Sequence, residues 1–313
     1  MKCLIIDAVH SSIQEELGKY MQVDTKMLPT QEELASIIGD YDVLIMRVDP
    51  AINKDILDAA SNLKVIGVCS VGLNHIDMDA AKAKNIQVFN APGLNDNAVA
   101  ELTIAKMLEI SRHTIPACID VKVNKTWDKY KFMGRELRGK TLGILGFGRV
   151  GQRVGKLAHA FQMDVVAYDP YLPAYVFDQE QSKSVSVEEL LKVSDFVSIH
   201  MPLTPETKNL INTQSITTMK DGVVVLNMAR GGIVNEQDMY EALKSGKVGG
   251  YASDVMENEL AAGGLTEGAG FDSPLFECEN FIVTPHLGAQ TVDAAEKIGA
   301  HIIGKVKETL QLA

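Results

Sequence analysis

The sequence has little cysteine, a deficit of positive charge and no long apolar run. Its 313 residues include four cysteines, none in a C-x-x-C pair, and carry a formal net charge of -11. Scattered cysteines fit neither a zinc site nor a small disulfide scaffold, so we expect reduced thiols in a cytoplasmic protein and no bound metal. The negative net charge disfavours nucleic acid as a partner, because binding a phosphate backbone requires clustered lysine and arginine. No stretch is long and apolar enough for a membrane span or a signal-peptide core, so we predict no membrane partner.

The most informative motif is TLGILGFGRVG, residues 141–151, in which an apolar strand pattern runs into a glycine-rich turn. Gly146 permits the tight turn, Gly148 lets the backbone approach a pyrophosphate, and Gly151 lets the next helix pack closely on the sheet. A second strand pattern ends at Asp169, 18 residues after Gly151. An acid at this place can hold both ribose hydroxyls of NAD, so the combination predicts an NAD site.

Strand-like apolar runs alternate with helical patterns along most of the chain, which predicts an α/β protein with parallel sheets. Four such runs lie before residue 90, and six lie after residue 140, the strand count of a doubly wound nucleotide domain. A chain of this length usually forms two domains. We therefore predict two doubly wound parallel-sheet domains. A Rossmann NAD-binding domain, residues 97–288, would be inserted into a flavodoxin-like substrate-binding domain, residues 1–96 and 289–313, with the site in the cleft between them.

Polar side chains follow several strands of the predicted nucleotide domain, where doubly wound sheets bind their ligands. Three of them could carry chemistry: Arg230, Glu259 and His286. A guanidinium can clamp a carboxylate, an imidazole changes protonation near neutral pH, and an acid can orient and charge that imidazole. Each is a weak signal alone, and together they predict acid/base chemistry beside the cofactor. His200, which closes a strand before Met201 and Pro202, is expected near the adenosine half of NAD.

These segments resemble the D-isomer-specific 2-hydroxyacid dehydrogenases over essentially the whole chain. The resemblance rests on SVGLNHID, NAPGLNDNAVAE, KFMGRELRGKTLGILGFGRVG, HMPLTPET, NMARGGIVNE, SDVMENE and TPHLGAQT. It implies that Arg230 binds the substrate carboxylate and carbonyl, that His286 is the acid/base, and that Glu259 is its partner. It also implies hydride transfer between NAD and C2 of a small D-2-hydroxy acid.

The resemblance implies further contacts in both domains. Beside the fingerprint and His200, the residues expected along the cofactor are Val71, Arg149, Val150, Met201, Pro202, Thr207, Met228, Ala229, Asp254 and Gly288. In the first domain, a turn at Ser70, Val71 and Gly72 would bind the substrate carboxylate, and Arg47 would meet the rest of the substrate. The basic stretch at residues 122–140 is most simply a solvated face. The family implies instead that it helps to form a homodimer, in which Lys129 approaches the neighbour's active site.

Two positions depart from the family pattern. Leu260 stands where the family's D-V-x-x-x-E-P has proline, and the loop after it is longer than usual. Val68 stands where many members acting on a phosphorylated substrate carry a second arginine. A phosphorylated three-carbon 2-hydroxy acid is still the expected substrate, with hydroxypyruvate, glyoxylate and D-lactate left open. An NAD-sensing corepressor is the alternative from another class, and we expect no appended regulatory domain.

Overall fold

The computed structural model describes residues 1–257, 259 and 272–312. The chain forms two compact units, Met1–Asn95 with Ala289–Ala313 and Asp96–Gly288. Among the described residues, the first unit contains one five-stranded sheet and the second one seven-stranded sheet, and every strand pair is parallel. Helices connect most of the successive strands. The predicted fold class, α/β with two doubly wound parallel sheets, is confirmed.

The first unit has the strand order β2-β1-β3-β4-β5, which is the flavodoxin-like order. Its strands are β1 (Lys2–Ile5), β2 (Gln22–Thr25), β3 (Val43–Met46), β4 (Val65–Val68) and β5 (Gln87–Phe89). Its helices are α1 (Ser11–Leu17), α2 (Gln31–Ile37), α3 (Lys54–Ala59), α4 (Met78–Ala83) and, from the end of the chain, α12 (Val292–Leu310), with a 3-10 turn at Ile38–Asp40. A Cβ on Gly67 would lie 2.6 Å from Ile302 Cγ2, so glycine there allows α12 to pack closely on β4.

The second unit has the order β12-β11-β10-β9-β6-β7-β8, with the glycine-rich turn leaving the central strand β6. Its strands are β6 (Thr141–Leu145), β7 (Asp164–Tyr168), β8 (Lys183–Ser184), β9 (Phe196–Ile199), β10 (Val223–Asn227), β11 (Val248–Ser253) and β12 (Phe281–Val283). Its helices are α5 (Asp96–Arg112), α6 (Thr114–Lys122), α7 (Arg149–Ala160), α8 (Ala174–Gln179), α9 (Val187–Val193), α10 (Thr213–Thr218) and α11 (Glu236–Lys244), with a 3-10 turn at Pro274–Glu277. The strand order reverses between β6 and β9, and ligands bind doubly wound sheets at such a point.

The apolar runs in the sequence predict neither β2 nor β8, which is one strand in each unit. β2 is an edge strand without a run of buried residues, and β8 has only two residues, both exposed. Neither has the apolar run by which the other strands were recognised. The helical region after β5 is interrupted, because His113 adopts a left-handed φ of 54° between α5 and α6.

None of the helices in the described part of the chain is both long and apolar enough to cross a bilayer. All four cysteines are free thiols. Burial raises the pKa of the Cys3 and Cys69 thiols to about 12, so these two stay protonated at neutral pH.

Candidate active site

The glycine-rich turn after β6 has the geometry that a pyrophosphate requires. Gly146 has a left-handed φ of 91°, and a Cβ there would lie 2.8 Å from the backbone of His200. A Cβ on Gly151 would overlap the carbonyl oxygen of Gly146, so only glycine lets α7 pack this close to the turn. A Cβ on Gly148, by contrast, would point into open space. The three glycines thus provide the turn, the close helix packing and an unobstructed approach to the backbone.

Backbone donors are available at this turn, where α7 begins. The amide N–H groups of Gly148, Arg149 and Val150 donate no hydrogen bond to any described residue. They lie at the positive end of a twelve-residue helix, a place that favours a negatively charged group. The open space at Gly148 and these free donors therefore fit the pyrophosphate of a dinucleotide.

Asp169, just after β7, holds the turn in place. Its Oδ2 accepts the N–H of Phe147 at 3.0 Å, and its Oδ1 accepts the N–H of Tyr171 at 3.0 Å. The carboxylate is only partly buried, and each oxygen keeps a lone pair for another donor. Asp169 therefore links β7 to the glycine-rich turn and can still accept a ribose hydroxyl.

His200, after β9, has an imidazole held in its neutral form. Its Nε2 lies 2.8 Å from the Oγ of Ser198, and its Nδ1 is buried without a hydrogen-bond partner among the described residues. Burial lowers the pKa of His200 to about 3. Thr207, another predicted cofactor residue, uses its hydroxyl inside its own loop, donating to the carbonyl of Pro202 at 2.7 Å.

Arg230 is presented by a turn that follows β10. The buried Asn227 organises this turn: its Nδ2 donates to the Arg230 carbonyl at 2.9 Å, and its Oδ1 accepts the N–H of Ala229 at 3.2 Å. The Arg230 side chain is exposed, and its Nη1 donates to the Ala229 carbonyl at 2.6 Å. Met228 and Ala229 beside it are buried. Asn227 was not among the predicted site residues, although an asparagine at the end of a buried strand is an available signal.

Glu259 and His286 are brought together. The Oε1 of Glu259 lies 3.1 Å from the Nδ1 of His286, and its Oε2 accepts the N–H of Met256 at 3.1 Å. About half of the His286 side chain is exposed (51%), against 26% for Glu259. The Nε2 of His286 forms no hydrogen bond with a described residue. The arrangement fixes one ring nitrogen and leaves the other to exchange a proton with a bound molecule.

The turn that carries His286 is built around the buried carboxylate of Asp254. This carboxylate accepts the hydroxyl of Thr284 at 2.6 Å and the N–H groups of Leu287 and Gly288 at 2.8 and 2.7 Å. These bonds support the left-handed φ of 54° at His286. The sequence predicts that Asp254 lies along the cofactor, and its three hydrogen bonds also stabilise the turn that carries His286.

In the first unit, Arg47 forms hydrogen bonds through both its backbone and its side chain. Its backbone N–H donates to Asp7 Oδ2 at 3.1 Å, its carbonyl accepts Ser70 Oγ at 3.1 Å, and its Nη1 donates to Gln290 Oε1 at 2.9 Å. The N–H groups of Val71 and Gly72 donate to no described residue. Two free amides and a partly buried guanidinium can bind an anion. Asp7 and Gln290 were not predicted.

Two other predicted features are less specific. Lys129 is exposed, with its Nζ 5.1 Å from the ring centroid of Tyr130. Val68 is buried within β4, so the position of the second arginine lies in the core.

No group of three or more His, Cys, Asp or Glu residues in the described ranges could hold a metal ion.

Comparison with known proteins identifies the family. The sequence profile of the D-isomer specific 2-hydroxyacid dehydrogenase, NAD binding domain, matches residues 104–288. The D-3-phosphoglycerate dehydrogenase of Methanocaldococcus jannaschii is 39% identical over 312 residues, which cover 99% of this chain and 58% of that protein. The hydroxypyruvate reductase of Thermotoga maritima is 41% identical over 280 residues, 90% of this chain and 88% of that protein. The chain belongs to the D-isomer-specific 2-hydroxyacid dehydrogenase family.

Solved structures agree with this assignment. The D-lactate dehydrogenase of Aquifex aeolicus, complexed with NAD and lactic acid, matches with a TM-score of 0.85 at 30% identity, covering 99% of this chain and 97% of that one. The matched profile describes an NAD-binding domain, so the predicted family and cofactor are both confirmed. The chain spans about half the length of the curated phosphoglycerate dehydrogenases that it matches, 58% and 55% for two of them.

Proposed function

We propose that the protein is an NAD-dependent dehydrogenase that transfers a hydride between nicotinamide and C2 of a small D-2-hydroxy acid. The observation that carries this proposal is the contact between Glu259 and His286, next to a strand end of an NAD-binding domain. An imidazole with one nitrogen fixed by a carboxylate and the other free is the arrangement that general acid/base catalysis requires. His286, Glu259 and Arg230 are proposed as the catalytic residues.

Each of the three residues has a distinct task in this proposal. In oxidation, the Nε2 of neutral His286 takes the proton of the substrate hydroxyl, and in reduction the imidazolium returns it. Glu259 stabilises the imidazolium and fixes the ring through Nδ1. Arg230 exchanges its bond to the Ala229 carbonyl for the substrate carboxylate, which orients C2 and polarises the carbonyl of the oxo acid. NAD, when bound, supplies the hydride acceptor.

The second unit is proposed to hold the cofactor. The amides of Gly148, Arg149 and Val150 would bind the pyrophosphate. Asp169 would accept the ribose hydroxyls and repel a 2'-phosphate, which favours NAD over NADP. Further proposed contacts come from the neighbouring strand ends and from the first unit: Val71, His200, Met201, Pro202, Thr207, Met228, Ala229, Asp254 and Gly288.

The first unit is proposed to bind the substrate through the amides of the Ser70 to Gly72 turn and through Arg47. A guanidinium in addition to a carboxylate-binding turn suits a substrate with a second anionic group, which supports D-3-phosphoglycerate. The similarity to phosphoglycerate dehydrogenases over 99% of this chain supports the same substrate. We accordingly propose a cytoplasmic D-3-phosphoglycerate dehydrogenase of serine biosynthesis, acting as a homodimer.

A second candidate, hydroxypyruvate or glyoxylate reduction, is favoured by the 41% identity to the Thermotoga maritima hydroxypyruvate reductase. D-Lactate oxidation is the third. A panel of D-3-phosphoglycerate, hydroxypyruvate, glyoxylate and D-lactate, followed through NADH absorbance, tests all three. The highest kcat/KM for D-3-phosphoglycerate would support the first proposal, and the highest value for hydroxypyruvate would replace it. Absence of turnover with every acid would favour an NAD-sensing binding protein instead.

A further inference from the structure

Glu236 contacts the segment that carries Glu259. It is the first residue of α11 and is half-buried. Its Oε1 accepts the N–H of Glu257 at 2.8 Å. Glu257 lies two residues before Glu259. One carboxylate therefore links the backbone beside Glu259 to the start of α11.

A series of contacts connects Glu236 to the proposed acid/base pair. Glu257 follows Met256, whose N–H donates to the Oε2 of Glu259, and the Oε1 of Glu259 contacts the Nδ1 of His286. The backbone at Met256 is also held from the other side, because a Cβ on Gly231 would overlap its carbonyl oxygen. Displacement of residues 256–257 would therefore move the donor that orients Glu259.

A carboxylate at this place has an electrostatic cost. Burial and the neighbouring Glu257 and Glu259 carboxylates raise the pKa of Glu236, while the hydrogen bond from the N–H of Glu257 opposes that rise. The first turn of a helix favours an acid, but Asp238 already supplies one there, with its Oδ2 accepting the N–H of Thr213 at 2.8 Å. Stabilisation of the helix therefore does not explain why Glu236 places a second carboxylate beside Glu257.

We propose that Glu236 is a positioning residue for the reaction: it fixes the backbone at residues 256–257 so that Glu259 can hold the imidazole of His286. This inference rests on the proposed function of that pair. Glu236 acts through Glu259 and touches neither substrate nor cofactor.

A double-mutant cycle tests the inference. Glu236→Ala is expected to lower kcat about 10- to 100-fold, the scale of a misplaced catalytic group, while the Kd of NAD changes less than about 2-fold. In a Glu259→Ala background, Glu236→Ala is expected to cause no additional loss. Glu236→Gln, which keeps one acceptor, is expected to restore part of the rate. The matched control is Asp238→Ala, which removes a charge from the same helical turn and is expected to leave kcat unchanged.

Multiplicative losses from Glu236→Ala and Glu259→Ala would overturn the inference, as would an unchanged kcat or an equal loss in Asp238→Ala. If Glu236→Ala does not fold, Glu236→Gln carries the same cycle. A readout without turnover separates this inference from the proposed function. In NMR spectra of the apo protein with 15N-labelled histidine, Glu236→Ala should move the ring nitrogen resonances of His286 toward their positions in Glu259→Ala, because both variants release the ring from its partner. Unmoved resonances overturn the positioning role, even if no 2-hydroxy acid is a substrate.

Discussion

The carboxylate of Glu259 contacts the Nδ1 of His286 at 3.1 Å, and its second oxygen accepts a backbone N–H. The imidazole thus meets a negative charge whose direction is set by the main chain. Such a pair orients the ring, selects its tautomer and stabilises the imidazolium.

Replacement of Glu259 by Gln tests the charge of this pair while keeping its size. Because the imidazolium that forms in the reaction loses a neighbouring negative charge, kcat of hydroxy-acid oxidation is expected to fall at least about 10-fold, while the Kd of NAD stays within about 2-fold. The measurement is kcat at saturating hydroxy acid and NAD, with NAD affinity measured in parallel. An unchanged kcat would show that the Glu259 charge does not stabilise the imidazolium of His286.

Alanine substitutions of two glycines at the start of α7 should affect cofactor binding and stability separately. Gly148→Ala places its methyl group in open space and should leave the melting temperature almost unchanged, while it weakens NAD binding by at least about 10-fold, since backbone approach is lost. Gly151→Ala should instead destabilise the fold, because its Cβ would overlap Gly146. Gly304→Ala, which also meets open space in α12, is the control for both measurements. Unchanged NAD affinity in Gly148→Ala would refute the pyrophosphate assignment.

His200 should make the stability of the protein sensitive to acid. Its pKa is about 3 in the folded chain and near 6.5 when exposed, so between these values the unfolded state binds one more proton. The free energy of unfolding should therefore rise with pH across this window and fall on acidification, by about 1.4 kcal/mol per pH unit from this residue. Urea unfolding of the unmodified protein and of His200→Gln, from pH 4.5 to 6.5, measures the difference in slope. Parallel slopes would contradict a neutral buried His200.

Arg47 should discriminate substrates by their second anionic group. Arg47→Ala is expected to raise the KM for D-3-phosphoglycerate about 10- to 100-fold, because a charge-assisted bond to the phosphate is lost. Glyoxylate has no second anion and should show a KM within about 2-fold of the unmodified protein. Equal effects on the two substrates would remove Arg47 from the phosphate assignment.

Much of the fold followed from the sequence, for a physical reason. Central parallel strands such as Val43–Met46 are buried on both faces, so they appear as uninterrupted apolar runs. The two missed strands are edge elements: Gln22–Thr25 has no buried residue, and Lys183–Ser184 is exposed at both positions. These two segments become strands because they pair with a neighbouring strand, and a local sequence pattern does not predict such pairing.

The candidate site was predictable where chemistry is tied to residue type. The glycines of the turn, Asp169, and the Glu259 and His286 pair were all named from motifs and strand ends. The supporting residues were not: Asn227, Asp7 and Glu236 are ordinary polar residues in the sequence, and their roles arise from hydrogen bonds to main-chain groups that only the fold brings near. The roles proposed for the site residues stay predictions until variants are measured.

The most direct test of the account is NADH formation from D-2-hydroxy acids by the unmodified protein and by His286→Ala, with NAD affinity measured in parallel. We expect turnover by the unmodified protein. We also expect a kcat at least about 100-fold lower in His286→Ala, with NAD binding retained, because the proton of the hydroxyl has no acceptor. An undiminished kcat in His286→Ala, or no turnover of any 2-hydroxy acid by the unmodified protein, would contradict it.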